Sequence, residues 1–186
     1  MEGHHLILGE LTDFLTGETL EDTLDERHRQ KIARFLVERR GFRPSDIRPR
    51  RMLEVRAGAL AGRVPVDLVV EAAGRAAMVV KFGPGSLTTR HRPALAIARL
   101  IAPAPVPAAV VTNGEAADVL DGISGKVLGS GWEAIPDPET LARMARSADA
   151  APLSPKRAEM EARIVYAYEI DGACPCDTTV CRINGA

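Results

Sequence analysis

The sequence predicts a mixed α/β sheet flanked by helices, followed by a short helical C-terminal extension. One observation is the order of the predicted elements, which is helix, three strands, helix and strand. The other is size, because 186 residues with 46% hydrophobic content are enough to bury one substantial core. We divide the chain into a first domain over residues 1–136 and a helical extension over 137–186 that ends in a Cys-rich tail.

The first predicted helix begins near Thr23 and runs to about Arg40. Thr23 suits the N-cap position, where a side-chain oxygen accepts a hydrogen bond from a free backbone N–H group. Glu26 stands three residues later, as in a capping box. Gly41 follows the last predicted turn, where a residue with left-handed backbone closes many helices.

Three consecutive strands are predicted next: 51–57, 64–72 and 76–82. Each is a short run of apolar residues, either alternating with charged residues or continuous. We expect Pro44 and Pro49 to bracket the turn before the first strand. The sequence Ala73-Gly74-Arg75 favours a tight hairpin between the second and third strands.

The remaining elements are predicted from turn residues and apolar patterns. Gly83-Pro84-Gly85-Ser86 ends the third strand, and Thr88 or Thr89 would cap the next helix. The later segments are a helix over 93–101, a strand over 108–112, a hairpin across 121–125, and helices over 138–147 and 155–168.

Charge is distributed unevenly, although the net charge is only −1. Residues 1–26 carry eight acids and no Lys or Arg, whereas residues 27–63 carry twelve Lys or Arg against three acids. A basic middle segment can bind a polyanion such as DNA while the whole protein stays near neutral. The same pattern is also typical of helices with solvated arginines, so both interpretations stay open.

The chain has no apparent membrane or secretion signal. It contains no run of eighteen apolar residues, and its start lacks the positive flank and apolar stretch of a signal peptide. We therefore expect a cytoplasmic protein without a membrane partner.

Asp67 and Lys81 lie in the second and third predicted strands. This pairing suits metal-dependent cleavage of a phosphodiester, in which a carboxylate binds Mg²⁺ or Mn²⁺ and a lysine assists the attacking water. Side chains alternate along a strand, so a carboxylate at position 79 would share a face with Lys81 and complete the ligands. The residue there is Val79, which cannot bind a metal ion. Glu26 or Glu54 could replace it, and an ordinary ion pair is the alternative.

The segment after Lys81 is a candidate contact for DNA phosphates. It combines flexible glycines, hydroxyl groups at a helix start and arginines, all suited to hold phosphate oxygens. The four candidate nucleic-acid-binding residues are Ser86, Thr88, Arg90 and Arg92. The alternative is an ordinary strand-to-helix connection.

All three cysteines, Cys174, Cys176 and Cys181, fall within eight residues near the C-terminus. Disulfides are rare in a reducing compartment, so such clustering favours thiolate binding of zinc or an iron–sulfur cluster. A fourth ligand could come from His4, His5, Asp177 or a second subunit. The alternative is free or redox-active thiols on the tail.

Five stretches of the chain carry a family resemblance: Asp25–Lys31, Phe35–Phe42, Val66–Val70, Val79–Lys81 and Val110–Gly114. Together they make residues 10–135 similar to the N-terminal nuclease domain of type I restriction enzyme R subunits, within the PD-(D/E)xK nuclease superfamily. The resemblance implies a restriction-endonuclease-like fold and cleavage of DNA with Mg²⁺ or Mn²⁺. It also implies roles for Glu26 as the helix acid, Asp67 as the metal-binding aspartate and Lys81 as the catalytic lysine. Val79 departs from the family pattern at its second carboxylate.

We therefore expect a DNA-binding, nuclease-like domain, with metal-dependent endonuclease activity if another acid replaces the missing carboxylate. The alternative is a non-catalytic nucleic-acid- or protein-binding module with a zinc or iron–sulfur site at the C-terminal cysteines. DNA is the expected partner, and a second protein or a second copy of the chain are further candidates.

Overall fold

The computed structural model describes residues 6–148, 151–172 and 181–182. Its strands are β1 (Glu10–Thr12), β2 (Thr19–Glu21), β3 (Ile47–Ala57), β4 (Leu60–Ala72), β5 (Arg75–Phe82), β6 (Ala108–Thr112), β7 (Ala117–Asp121), β8 (Val127–Ser130) and β9 (Cys181–Arg182). Its α-helices are α1 (Leu24–Arg34), α2 (Leu87–Leu100), α3 (Pro138–Ser147) and α4 (Pro155–Val165). Short π-helical segments, Phe35–Arg39 and Tyr166–Asp171, continue α1 and α4, and short 3₁₀ helices span Pro44–Asp46 and Trp132–Ala134.

The main sheet is mixed, as the sequence predicts. Its strand order is β3-β4-β5-β6-β7-β8, with β9 paired to β4, and β1 and β2 form a separate hairpin. Neighbouring strands are antiparallel except for β5 and β6, which run parallel, with Phe82 opposite Thr112. Two adjacent strands therefore end at the same edge of the sheet.

Helices cover both faces of this sheet. On one face, α2 and α4 pack against a core that includes Val79, whereas α1 and α3 pack against the core on the other face. Along β4, Val64 and Val66 belong to the α2/α4 core, but Leu68 and Val70 belong to the α1/α3 core. Residues two positions apart on a regular strand share a face, but Val66 and Leu68 do not, so the side-chain alternation of β4 is interrupted at Asp67.

The predicted start and end of the first helix are confirmed. The Thr23 hydroxyl accepts a hydrogen bond from the Glu26 N–H group at 3.1 Å. Gly41 has a φ of 81°, which a residue with a β-carbon would adopt only with strain. The reciprocal half of the capping box is absent, because the Thr23 N–H group donates to the backbone carbonyl of Glu21.

Two predicted boundaries are wrong, and each involves proline. Pro49 lies inside β3, a strand at the edge of the sheet, where proline is tolerated because one side of the strand needs no donor. Helix α2 begins at Leu87, well before Pro93 and less than two turns from it, and its N-cap is Ser86. Thr89 does not cap the helix, since its hydroxyl donates to the Ser86 carbonyl at 2.8 Å.

The C-terminal helices contribute to both cores. Leu141 and Ala145 of α3 pack in the α1/α3 core, while Ala162 and Val165 of α4 pack in the α2/α4 core. Both helices were predicted within a separate extension, and the division of the chain at residue 136 stays a prediction. Among the described residues, no helix is long and apolar enough to cross a membrane.

Candidate functional site around Asp67 and Lys81

Asp67 is a nearly buried carboxylate whose two oxygens both receive donors from the protein. Its side chain is 6% exposed. Arg29 Nε donates to Oδ1 at 2.5 Å, and the Phe82 N–H group donates to Oδ2 at 3.0 Å. Lys81 Nζ lies 3.2 Å from the same Oδ2. Two cations from α1 and β5 thus hold the carboxylate that β4 presents.

Lys81 lies between two carboxylates. Besides Asp67, its Nζ contacts Glu169 Oε2 at 3.1 Å, and the side chains of Lys81 and Glu169 are each only 13% exposed. Glu169 belongs to the π-helical segment that follows α4. A carboxylate from the C-terminal part of the chain therefore reaches the predicted lysine, although position 79 holds valine.

Glu26 joins this network through Arg29. Glu26 Oε2 lies 3.4 Å from Arg29 Nη1, and Gln30 Nε2 donates to Oε1 at 2.8 Å. Arg50, whose φ of 52° is left-handed, also reaches Oε1 at 3.8 Å. The structure therefore brings Glu26, Asp67 and Lys81 together in one network. Acidic and basic side chains alternate along it, in the order Glu26, Arg29, Asp67, Lys81.

Charge outweighs burial in setting the pKa values of the central pair. Burial acts to raise the pKa of Asp67, but the positive charges of Lys81 and Arg29 lower it below its usual 3.8. Burial acts to lower the pKa of Lys81, but the negative charges of Asp67 and Glu169 raise it above its usual 10.5. Lys81 is therefore a cation at neutral pH.

The lowered pKa of Asp67 predicts a specific loss of stability in acid. A carboxyl group with a lowered pKa in the folded state stabilises the fold above its unfolded pKa, and that contribution disappears as the pH falls through the folded value. We expect the urea midpoint of the natural protein to fall more steeply than that of Asp67→Asn as the pH drops from about 5 towards 2. Equal pH profiles in urea unfolding would contradict the assignment.

Polar groups surround the carboxyl-terminal ends of β5 and β6. Lys31 Nζ of α1 donates to the Gly114 carbonyl at 3.1 Å, and Asn113 Nδ2 donates to the Gly85 carbonyl at 3.1 Å. His28 stacks on Phe82 with the ring centroids 4.9 Å apart. These contacts join α1, the turn after β6 and the loop before α2 into one surface.

Three of the four predicted DNA-binding residues lie along this surface without a side-chain partner in the described residues. Ser86 and Thr88 are exposed, and Ser86 makes no side-chain capping bond. The Arg90 guanidinium lies against Gly83, where an added β-carbon would be 3.2 Å from its Nε. We call Lys31, Ser86, Thr88, Arg90 and Asn113 the strand-end rim.

Arg92, the fourth predicted residue, is partly exposed and pairs with Glu161 of α4. The Glu161 carboxylate is fully buried and pairs with three arginines. They are Arg92 at 2.5 Å, Arg99 at 2.9 Å and Arg157 at 2.9 Å. Burial acts to raise the pKa of Glu161, but these arginines lower it. This cluster joins α4 to α2.

Sequence reasoning missed Arg29 and Glu169. Arg29 follows Glu26 by three residues on α1, a spacing that puts both on one helix face and could have been used. Glu169 gave no local signal, because it is remote in sequence from both strands. Glu54, a suggested replacement acid, pairs with Arg63 at 2.7 Å and lies opposite it, well away from Asp67 in register.

The residues at Asp67 do not fit a Mg²⁺ site in this arrangement. Magnesium requires several free oxygen ligands in octahedral geometry, but both Asp67 oxygens already receive donors from protein cations or N–H groups. The described ranges contain no group of three or more His, Cys, Asp or Glu residues able to hold an ion. Binding of Mg²⁺ or Mn²⁺ would require Arg29 to withdraw, and it stays a prediction.

The predicted zinc or iron–sulfur site also stays a prediction. Cys174 and Cys176 lie outside the described residues. The backbone of Cys181 lies in β9, opposite Arg63 of β4.

Comparison with known proteins agrees with the sequence resemblance. A family model described as type I restriction enzyme R protein N terminus (HSDR_N) matches residues 24–136. The chain belongs to this family. Searches of curated proteins and of solved structures gave no match. The family match runs from the start of α1 to just before α3, so it includes Asp67, Lys81 and the strand-end rim but not Glu161 or Glu169.

Proposed function

We propose that this domain of the type I restriction R-protein family binds the DNA backbone at the strand-end rim and does not cleave it. The observation that carries the proposal is the pairing of Asp67 with Arg29 and Lys81. Two protein cations neutralise the carboxylate where a catalytic metal ion would otherwise be needed. Family membership supports a DNA-related role, and the paired aspartate favours binding over catalysis.

The strand-end rim suits phosphate binding by its position and its chemistry. Ligands of α/β sheets bind outside the carboxyl ends of parallel strands, which here are β5 and β6. Lys31 and Arg90 supply positive charge without an acidic partner among the described residues. Ser86 and Thr88 add hydroxyl donors at the start of α2, and groups of these kinds make most contacts to DNA phosphates.

Removing either rim cation should weaken DNA binding. The logarithm of DNA affinity falls linearly with the logarithm of salt concentration, by about 0.9 for each phosphate contact. We expect Lys31→Ala and Arg90→Ala each to make this line shallower by about 0.9. The effect should be similar for unrelated sequences, because phosphate contacts carry no sequence information. Fluorescence anisotropy with a short labelled duplex measures both quantities.

Arg56→Ala is the matched control for these variants. Arg56 is exposed on β3 and lines a surface pocket with Leu100, at the opposite end of α2 from Ser86. Its removal should leave the salt slope near that of the natural protein. Equal losses in all three variants would indicate diffuse attraction and contradict binding at the rim.

Metal-dependent cleavage of DNA is the second candidate function. It is favoured by the adjacent Asp67 and Lys81 within the matched part of the chain. Plasmid and single-stranded DNA should remain uncut with Mg²⁺ or Mn²⁺, at a level equal to that of Lys81→Ala. Cleavage that disappears in Lys81→Ala would replace the binding proposal with the nuclease one.

A further inference from the structure

Glu169 reaches the candidate site from outside the family-matched residues. The match ends at residue 136, whereas Glu169 lies in the π-helical segment Tyr166–Asp171. Tyr166 and Ile170 of this segment are buried in the α2/α4 core, so the backbone that carries Glu169 is fixed by packing. Val79 and the α2/α4 core lie on one face of the sheet, and side-chain alternation puts Lys81 on the same face.

The chain returns to the same part of the sheet after this segment. Strand β9 pairs with Gly62 and Arg63 of β4, the strand that carries Asp67. The C-terminal part is therefore anchored to the fold on both sides of the contact between Glu169 and Lys81: by α4 and its π-helical continuation before it, and by β9 after it. Glu169 is held where it contacts Lys81.

Lys81 contacts the carboxylate of Glu169 in addition to that of Asp67. Asp67 lies 3.2 Å from Nζ and already pairs with it, and Glu169 adds a second carboxylate at 3.1 Å. A carboxylate oxygen and a phosphate oxygen are both anionic acceptors, and they make the same kind of charge-assisted hydrogen bond to an ammonium group. Glu169 therefore occupies a bonding direction of Lys81 that a DNA phosphate would use.

We propose that Glu169 is a built-in competitor of DNA phosphate at Lys81, so that the C-terminal part of the chain restrains DNA binding by the domain. The inference rests on the proposed function and concerns regulation of the same site. Asp67 keeps Lys81 charged and in place, while Glu169 prevents the Lys81 ammonium group from contacting a DNA phosphate. Withdrawal of Glu169 adds one phosphate contact to those of the strand-end rim.

The test compares Glu169→Gln with Glu159→Gln in the full chain. Both variants remove one negative charge and keep the side-chain shape. In the part of the chain that the structure describes, however, Glu159 of α4 pairs only with the exposed Arg163, at 2.7 Å. One added phosphate contact contributes about 0.9 to the salt slope, which corresponds to about eightfold in affinity between 1 M and 0.1 M salt. Anisotropy titrations should therefore show about five- to tenfold tighter binding for Glu169→Gln and less than about twofold for Glu159→Gln. Glu169→Ala, a second neutral variant, should repeat the gain.

Lys81→Met shows whether the gain acts through the lysine. Combining it with Glu169→Gln should abolish the gain, because no ammonium group remains to be released. Equal affinities of Glu169→Gln and Glu159→Gln, or a gain that persists with Lys81→Met, would overturn the inference.

Failure of the proposed function gives a different result. In that case neither the natural protein nor any of these variants binds DNA at low salt. If the natural protein binds through Lys31 and Arg90 but Glu169→Gln brings no gain, the rim proposal stands and only the role of Glu169 is lost.

Discussion

Glu161→Ala should lower the free energy of unfolding by about 3–5 kcal/mol, the cost of removing one partner from a buried ion pair. The Glu161 side chain is fully buried, and that of Arg99 is only 9% exposed. Without the carboxylate, Arg99 keeps the carbonyl oxygens of Gly122 and Ile123 but loses its only acidic partner among the described residues. Arg92 and Arg157 are partly solvated, so they contribute less to the loss.

Glu159→Ala serves as the control for this prediction. It lies on the same helix and removes the same charge, but its pair with Arg163 is exposed and should contribute less than about 1 kcal/mol. Urea unfolding at pH 7 measures both variants. A loss at Glu161 no larger than that at Glu159 would contradict a structural role for the cluster that joins α4 to α2.

Asp67→Ala should cost a similar amount, about 3–5 kcal/mol, because it leaves two partly buried cations close together without the carboxylate that they share. Of their ion pairs within the described residues, Arg29 would keep that with Glu26 and Lys81 that with Glu169, and the Phe82 N–H group would lose its acceptor. The sign of the change is diagnostic. In a site built to bind a metal ion, carboxylates repel one another without the ion, and removing one of them would raise stability.

Asp67→Asn separates the two contributions at this position. The amide oxygen can still accept from the Phe82 N–H group, but the charge is lost, so we expect an intermediate destabilisation in urea. Increased stability of either variant without metal would show that Asp67 is repelled rather than neutralised by its surroundings.

Local signals were sufficient for most of the fold. The cap at Thr23, the glycine after α1 and the hairpin residues Ala73 and Gly74 act on their own backbone, so a sequence pattern predicts them directly. Pro49 and Pro93 led to wrong predicted boundaries. A strand tolerates proline at the sheet edge and a helix tolerates it near its start, and neither condition can be seen in the local sequence.

The candidate site was only partly predictable for a different reason. Asp67 and Lys81 could be found because alternation and a tight hairpin fix the relation of two adjacent strands. Glu169 could not, because its place depends on how α4 packs against α2 and β3. The ion-pair partner of Arg92 was unpredictable for the same reason, since Glu161 lies on that helix.

DNA binding with and without a divalent metal most directly tests whether the domain binds DNA without a catalytic metal ion at Asp67. A labelled duplex is titrated at equal ionic strength in EDTA and in Mn²⁺, and the DNA is then examined for cleavage, with Asp67→Asn in parallel. We predict affinity no higher in Mn²⁺ than in EDTA, and intact DNA, because Arg29 and Lys81 already neutralise Asp67. Two results would contradict the proposal that the domain binds DNA without a catalytic metal ion. One is binding that tightens with Mn²⁺ and loses this gain in Asp67→Asn, and the other is DNA cleavage that disappears in Asp67→Asn.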